Sequence, residues 1–421
     1  MGAQYKKEED GSISIVINIK PEGSMLEQEE QIAAALAEAG RLATGLSLSG
    51  FDTDGKPIIV NNERYTSRGQ GKKNFQSPWG EVNVERHVYQ RSKGGKTLAP
   101  MELQARIIAK GSTPRFAKMV SWKYAQMPAS RVTEDLEMNH GRKTSRKLVQ
   151  NLGAAVGKIA LEKELVWEYE LPKMEAVVTH ISVGRDGTTT PVLQEGYRET
   201  MCGTIGFHNA KGERMHTIYT ACAPEYGKMI FDGVMDMELE RVKKQYPNVA
   251  YVGLADGAKN NWAYLESRTG VHILDFFHAS EYLGEASVAM GKDDAQRHKW
   301  HEEACHTLKN KTKGANQILQ ELKTQSGQYR QGTVPEGLSK TITYFENNLE
   351  RMQYASYLKA GYPIGSGITE AACKVVVKQR LSNSGMRWTI DTIQRMLLLR
   401  GLICTSGRWQ QFWDHIDKKG T

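Results

Sequence analysis

VAYVGLADGA, residues 249–258, is a short and nearly continuous apolar run that ends on Asp256 and Gly257. A strand exposed on one face alternates apolar and polar residues. A run that is apolar throughout reads as a strand buried on both faces, usually parallel to its neighbour. Parallel strands need long crossovers, and the flanks supply them. PEYGKMIFDGVMDMELERVKKQYP (224–247) predicts a helix with a stripe of Met229, Ile230, Val234 and Leu239, and a second helix precedes the strand VHILDFF (271–277). Upstream, VVTHISVGRDGTTTPV (177–192), YRETMCGTIGFH (197–208) and RMHTIYTACA (214–223) predict three more strands. A three-stranded meander extended by parallel strands through right-handed crossovers meets this order most simply, which makes the core α/β.

Two acids share one local grammar in this core. Asp186 and Asp256 each close an apolar strand and each precede a glycine. On neighbouring parallel strands they would emerge side by side at the carboxyl ends, where open α/β sheets place their ligands. Adjacent carboxylates repel, and a hard divalent cation with oxygen ligands relieves that repulsion. A third acid lies in GYPIGSGITEAACKVVVKQRLSNSGMRW (361–388). There Gly365, Ser366 and Gly367 lead into a helix. Glu370 is the only acid, surrounded by Lys374, Lys378, Arg380 and Arg387, with Trp388 at the end. Early in a helix, the dipole favours its ionised form. Three such carboxylates suit a site for two ions ~3.5–4 Å apart. Taken singly, each has a plain structural account: Asp-Gly is a common turn dipeptide, and a lone Glu among cations makes surface ion pairs. His278, three residues after Asp275 in LDFFHASEYL, fits a helix-capping role as well as one beside a phosphate.

The rest of the chain surrounds this core. A length of 421 residues implies two or more domains. No apolar run approaches the ~20 residues of a membrane span, and MGAQYKKEEDGSIS carries no apolar signal segment, so a cytoplasmic, non-membrane protein is expected. Cys202, Cys222, Cys305, Cys373 and Cys404 form no C-x-x-C pair, which argues against a zinc ribbon or a disulfide framework. The net charge of +8 suits an anionic partner, nucleic acid first. Its location is uneven: residues 351–421 carry 11 Lys and Arg against 4 Asp and Glu, and residues 101–165 carry 12 against 6. Both segments thereby become candidate DNA-binding surfaces.

Six regions are expected. Residues 1–56 comprise an irregular start (1–24) and a packing or dimerisation helix (25–44) with Ile32, Leu36 and Ala39 on one stripe. Residues 57–100 read as a small β region of short strands, with Gly80 as a turn and RSKGGKTLAP as a hairpin tip. Residues 101–170 are helical and have a helix-turn-helix cadence. The first helix spans Ser130 to Met138, Asn139, His140 and Gly141 make the turn, and Thr144 or Ser145 caps the second helix. Arg142, Lys143, Arg146 and Lys147 then sit at a helix start, which suits phosphate contact and equally a solvated basic face. The strand core occupies 171–278, a helical insertion 279–359, and the Glu370 helix with a basic C-terminal segment 360–421.

With these residues assembled, the chain resembles bacterial insertion-sequence transposases of the DDE class. It is most similar to the ISKra-type family, which is related to the Mutator-like transposases that carry a helical insertion. SVGRDGTTTPV, GLADGA, LDFFHASEYL and GSGITEAACKVVVKQRLSNSGMRW carry the resemblance, and LLLRG (397–401) fits the family's ending. It implies an RNase H-like fold in which Asp186, Asp256 and Glu370 hold two Mg²⁺ (or Mn²⁺), with the Asp275/His278 pair as a signature and His278 serving the site. It implies double-stranded DNA as partner, both element ends and target, and a homodimer or larger assembly at the nucleoid. Residues 130–157 and the tail 378–408, with Lys374, Lys378, Arg380 and Arg387 among the contacts, would hold terminal inverted repeats. The enzyme would cleave the element ends and join the 3′-hydroxyl to target DNA. An RNase H-like nuclease that does not join, and a non-catalytic DNA-binding descendant of a transposase, are the competing expectations. A lysine six residues after the Glu, known in other insertion-sequence families, does not carry over, because Val376 stands there.

Overall fold

The computed structural model describes residues 3–420 except Leu165, Gly291, Lys292, Gln331 and Ser384. The chain divides into two compact units, one of residues 1–169 and 408–421, the other of residues 170–407. The C-terminal helix Arg408–Lys419 thus joins the first unit, whereas the sequence grouped it with the Glu370 helix.

The first unit opens with a hairpin of β1 (Ala3–Lys7) and β2 (Ile13–Ile17), where an irregular start was expected. ISIVI alternates at period two, half-burying Ile13, Ile15 and Ile17 and exposing Ser14 and Val16. Helix α1 (Met25–Ser49) begins at a capping box in which Ser24 and Glu27 satisfy each other's backbone N–H groups. Strands β3 (Ile58–Val60), β4 (Glu63–Ser77) and β5 (Gly80–Arg91) form one antiparallel sheet. β4 and β5 are longer than expected, and the turn between them falls at residues 78–79, before Gly80 at φ +146°. RSKGGKTLAP does turn back, with Leu98 and Tyr89 exchanging backbone hydrogen bonds. Leu48, Phe75, Val82, Val84, Met101 and Ala105 form a small core.

Helices α2 (Pro100–Gln104), α3 (Pro114–Tyr124), α4 (Ala129–His140) and α5 (Arg146–Glu164) complete this unit. The α4–α5 pair has the expected order, with different limits. Asn139 and His140 still belong to α4, which stops at Gly141 in the left-handed region (φ +59°). Ser145 Oγ caps α5 by accepting from Leu148 N at 3.1 Å. Gly153 lets α5 pass against the Tyr124 ring, because a Cβ there would overlap that ring.

The second unit is built on a five-stranded mixed sheet, with β6 (His180–Val192), β7 (Gly196–His208), β8 (Arg214–Cys222), α6 (Met229–Gln245), β9 (Ala250–Ala255), α7 (Lys259–Leu265) and β10 (Val271–Leu274) in chain order. Across the sheet the order is β10-β9-β6-β7-β8. β6, β7 and β8 pair antiparallel, and β9 and β10 add parallel on the β6 side. This is the meander with parallel additions that the sequence predicts. The apolar 249–258 run is the strand with parallel neighbours on both sides, and residues 251–255 are buried. The α6 stripe differs from the expected one. Met229 and Ile230, the first two residues of the helix, are exposed, and the stripe that faces the core starts at Phe231 and continues through Met235, Leu239 and Val242.

Helices α8 (Phe276–Ala289), α9 (Asp294–Asn310), α10 (Gly314–Ser326), α11 (Glu336–Asn348) and α12 (Tyr354–Lys359) make up the helical segment expected between Asp256 and Glu370. The Glu370 helix comes next as α13 (Gly367–Ala372), a π-helical turn (Cys373–Lys378) and α14 (Gln379–Leu381), and α15 (Ile390–Cys404) completes the unit. No helix among the described residues is long and apolar enough to cross a membrane.

Candidate functional site

Asp186 does not end its strand: β6 runs on to Val192, with Asp186 opposite Cys202 of β7. Only the pairing with β9 stops early, at Gly184↔Leu254. Continued by two residues, that parallel register sets Asp186 beside Asp256, on strands ~4.8 Å apart. The β9–β10 register ends at Leu274↔Ala255, so its next step sets Asp275 beside Asp256 on the other side. Three aspartates therefore line up across three adjacent strands, just past the carboxyl ends of β9 and β10 and within β6 where its pairing with β9 has stopped. Since side chains alternate along a strand, Asp186 lies on the same face as Gly184, while Arg185 goes to the opposite face and pairs with Asp232 at 2.7 Å.

Glycines bring the Glu370 helix onto that face. A Cβ at Gly184 would overlap Thr369 Oγ1 and come within 3.1 Å of Thr204 Oγ1. Thr369 Oγ1 instead sits 2.7 Å from Thr204 Oγ1, fixing α13 to β7. Glu370 is the next residue, and its Oε1 accepts from Ser366 Oγ at 2.8 Å. Cys373, one turn on, donates its thiol to Asp186 Oδ2 at 3.7 Å.

Electrostatics tie the three acids together. Burial pushes the Asp186 carboxyl above its ordinary range, and the negative charges of Asp256 and Glu370 push it the same way. Hydrogen bonds from Gly187 N (2.7 Å) and Cys373 oppose the shift. Asp256 Oδ1 accepts from Ala258 N at 3.1 Å and Asn261 Nδ2 at 3.3 Å. The donor set, three carboxylates of which Asp186 feels the charge of the other two, is the chemistry a hard divalent cation requires. The side chains are not closed onto a common point: among the described residues no three His, Cys, Asp or Glu side chains group at metal-holding distance. Each acid is turned to a local donor, as mutually repelling carboxylates would be.

Asp275 has a different place. It is fully buried and caps α8, its Oδ1 accepting from His278 N at 2.9 Å and its Oδ2 from Ser366 N. Phe276 N donates to Ile364 O at 2.9 Å, so the β10–α8 corner fixes the loop that opens the Glu370 helix. His278 lies in the first turn of α8, half exposed, with Nδ1 3.3 Å from Glu281 Oε2.

The candidate DNA-binding cations divide into two groups. Lys143, Arg146 and Lys147 are exposed around the α5 start, and Lys374, Lys378 and Arg387 are exposed along and beyond the π-helical turn. Arg142 turns inward: its Nε donates to Ser77 O at 3.2 Å, its Nη2 to Gln76 Oε1 at 2.8 Å, and its guanidinium lies over the Phe116 ring. Arg380 is 1% exposed and lies over Trp388, which is itself buried and donates to Leu381 O. Both arginines read from the sequence as phosphate contacts are thus internal struts, because each segment needs a long side chain to bridge to its neighbour. Sequence reading missed Thr369, Ser366 and Gly184 as positioning elements. The glycines of SVGRDG and GSGITE were the available signal. No family model matches this chain, and its sequence matches no curated protein.

Proposed function

We propose that this protein is a DDE transposase with an RNase H-like core. The observation that carries the reading is the parallel register that sets Asp186 beside Asp256, with Glu370 charged and close enough to raise the Asp186 carboxyl. The sheet order supports the RNase H-like assignment: three antiparallel strands, then two parallel strands on the side of the first. In this reading Asp186, Asp256 and Glu370 hold Mg²⁺ or Mn²⁺. Two such ions would supply charge neutralisation at the scissile phosphate and activation of the attacking water or 3′-hydroxyl. The chain's own part is to place the carboxylates. β6 and β9 fix two of them by register, and the Thr204–Thr369 contact with Ser366 fixes the third. His278 lies near this edge and is assigned to the DNA phosphate. Lys143, Arg146, Lys147, Lys374, Lys378 and Arg387 bind DNA chiefly through its phosphates, holding element ends and target in a homodimer or larger assembly.

The test uses oligonucleotides carrying the inverted repeats that flank the coding sequence. Asp186→Ala, Asp256→Ala and Glu370→Ala should each abolish Mg²⁺-dependent end cleavage while DNA binding persists. End cleavage that survives any of them refutes the triad. Strand transfer from a precut end separates a transposase from a nuclease that only cuts. DNA binding without divalent-dependent cleavage in the wild type would favour a non-catalytic binder.

A further inference from the structure

We propose that Tyr344 is a positioning residue for Asp256, and that the helical segment between Asp256 and Glu370 braces the acids. The inference rests on the assignment of Asp256 as a metal-holding acid. Tyr344, on α11, donates its hydroxyl to the Asp256 carbonyl at 2.8 Å. Its ring closes over the next residue, Gly257, which has φ +100°. A Cβ on Gly257 would stand 3.0 Å from Tyr344 Cε2, 3.2 Å from its Oη and 3.3 Å from Leu274 Cδ1. This is the turn that aims the Asp256 carboxylate, whose Oδ1 takes its hydrogen bonds from Ala258 and Asn261.

Tyr344 is itself held in place. It stacks on Tyr282 of α8, with ring centroids 3.9 Å apart and planes 14° from parallel. Thr341 Oγ1, one turn earlier on α11, donates to Tyr282 O at 2.8 Å. Gly337 lets the helices close, since a Cβ there would lie 3.0 Å from the Glu285 carbonyl. The other end of α8 is the Asp275 cap, which holds Ser366 and through it Glu370. One helix pair therefore contacts the segments carrying two of the three acids, and a shift of that pair moves both.

Tyr344→Phe keeps the ring, the stack and the cover over Gly257 and removes only the donated hydrogen bond. Mn²⁺ affinity would be measured by calorimetry on the full chain without DNA, alongside cleavage as a function of Mn²⁺ concentration. Groups that orient metal ligands typically contribute 10–100-fold to affinity. Tyr344→Phe is expected to weaken Mn²⁺ binding ~10-fold or more, to recover cleavage at saturating Mn²⁺, and to leave KM for DNA unchanged. Trp300→Phe, which removes the α9–α10 hydrogen bond to Glu321 and leaves the α8–α11 pair intact, should bind Mn²⁺ as the wild type does. Wild-type affinity in Tyr344→Phe, or equal weakening in Trp300→Phe, overturns the inference. Asp256→Asn retaining both Mn²⁺ binding and cleavage would instead overturn the assignment on which it rests.

Discussion

Alanine at Gly184 adds one methyl group where the sheet meets the Glu370 helix. That methyl would overlap Thr369 Oγ1 and lie 3.1 Å from Thr204 Oγ1 and 3.3 Å from Thr369 Cβ. Neither threonine has room to turn away, since both are buried and bonded to each other. Relief requires α13 to lift by ~1 Å, the depth of a hard van der Waals overlap. Overpacking of this kind costs ~1–3 kcal/mol, or ~2–4 °C of Tm for each kcal/mol in a unit of this size. Function should suffer more than stability, because Glu370 rides on the displaced residue and a 1 Å misplacement costs ~10²-fold in rate. Thr369→Ala removes the overlapping atom, so Gly184→Ala/Thr369→Ala should regain most of the lost cleavage and track the Thr369→Ala single variant. End cleavage and thermal melting on the four proteins of this cycle decide the matter. Wild-type cleavage by Gly184→Ala, or no recovery in the double variant, would refute the claim that helix seating sets the third acid.

Further outcomes can be checked in the same system. Asp186→Asn should raise Tm in metal-free buffer at neutral pH. The ionised wild-type carboxyl is penalised above its raised folded-state pKa, so the difference should shrink as pH falls through that value and vanish below the ordinary 3.8. Alanine at Lys374, Lys378 or Arg387 should leave Tm unchanged and lower the slope of log affinity against log salt by about 1 each, read by fluorescence anisotropy. Arg142→Met should instead lower stability by ~1–3 kcal/mol in urea unfolding, since it strands the buried Ser77 carbonyl and the half-buried Gln76 amide oxygen. Asp275→Ala leaves the His278 and Ser366 N–H groups without their acceptor. It should speed amide exchange at Ser366 and cost ~1–3 kcal/mol per group.

The core of the second unit was legible because period and burial speak plainly there. The 249–258 run could only be a strand covered on both faces, and Asp256 followed from where it stops. Asp186 was harder: Asp-Gly suggested a strand end, yet β7 continues to pair past it, and no local signal marks an edge that ends on one side only. The inward turn of Arg142 and Arg380 was illegible for a related reason. Arginine in a basic stretch has the same letter whether it faces water or bridges two segments, and only packing distinguishes them. The tie from Asp275 to Ser366 joins positions 91 residues apart in sequence and leaves no periodic trace.

The π-helical turn at Cys373–Lys378 gives the chain after Glu370 a wider turn than an ordinary α-helix, closed by i→i+5 hydrogen bonds. Such a turn accommodates one residue more than a regular ladder would over the same arc. Removing one residue from it should therefore let the coil tighten to a regular α-helical ladder while Lys378, Arg380 and Trp388 keep close to their present facing, whereas removing one from the regular turn of α13 would rotate everything beyond it by ~100°.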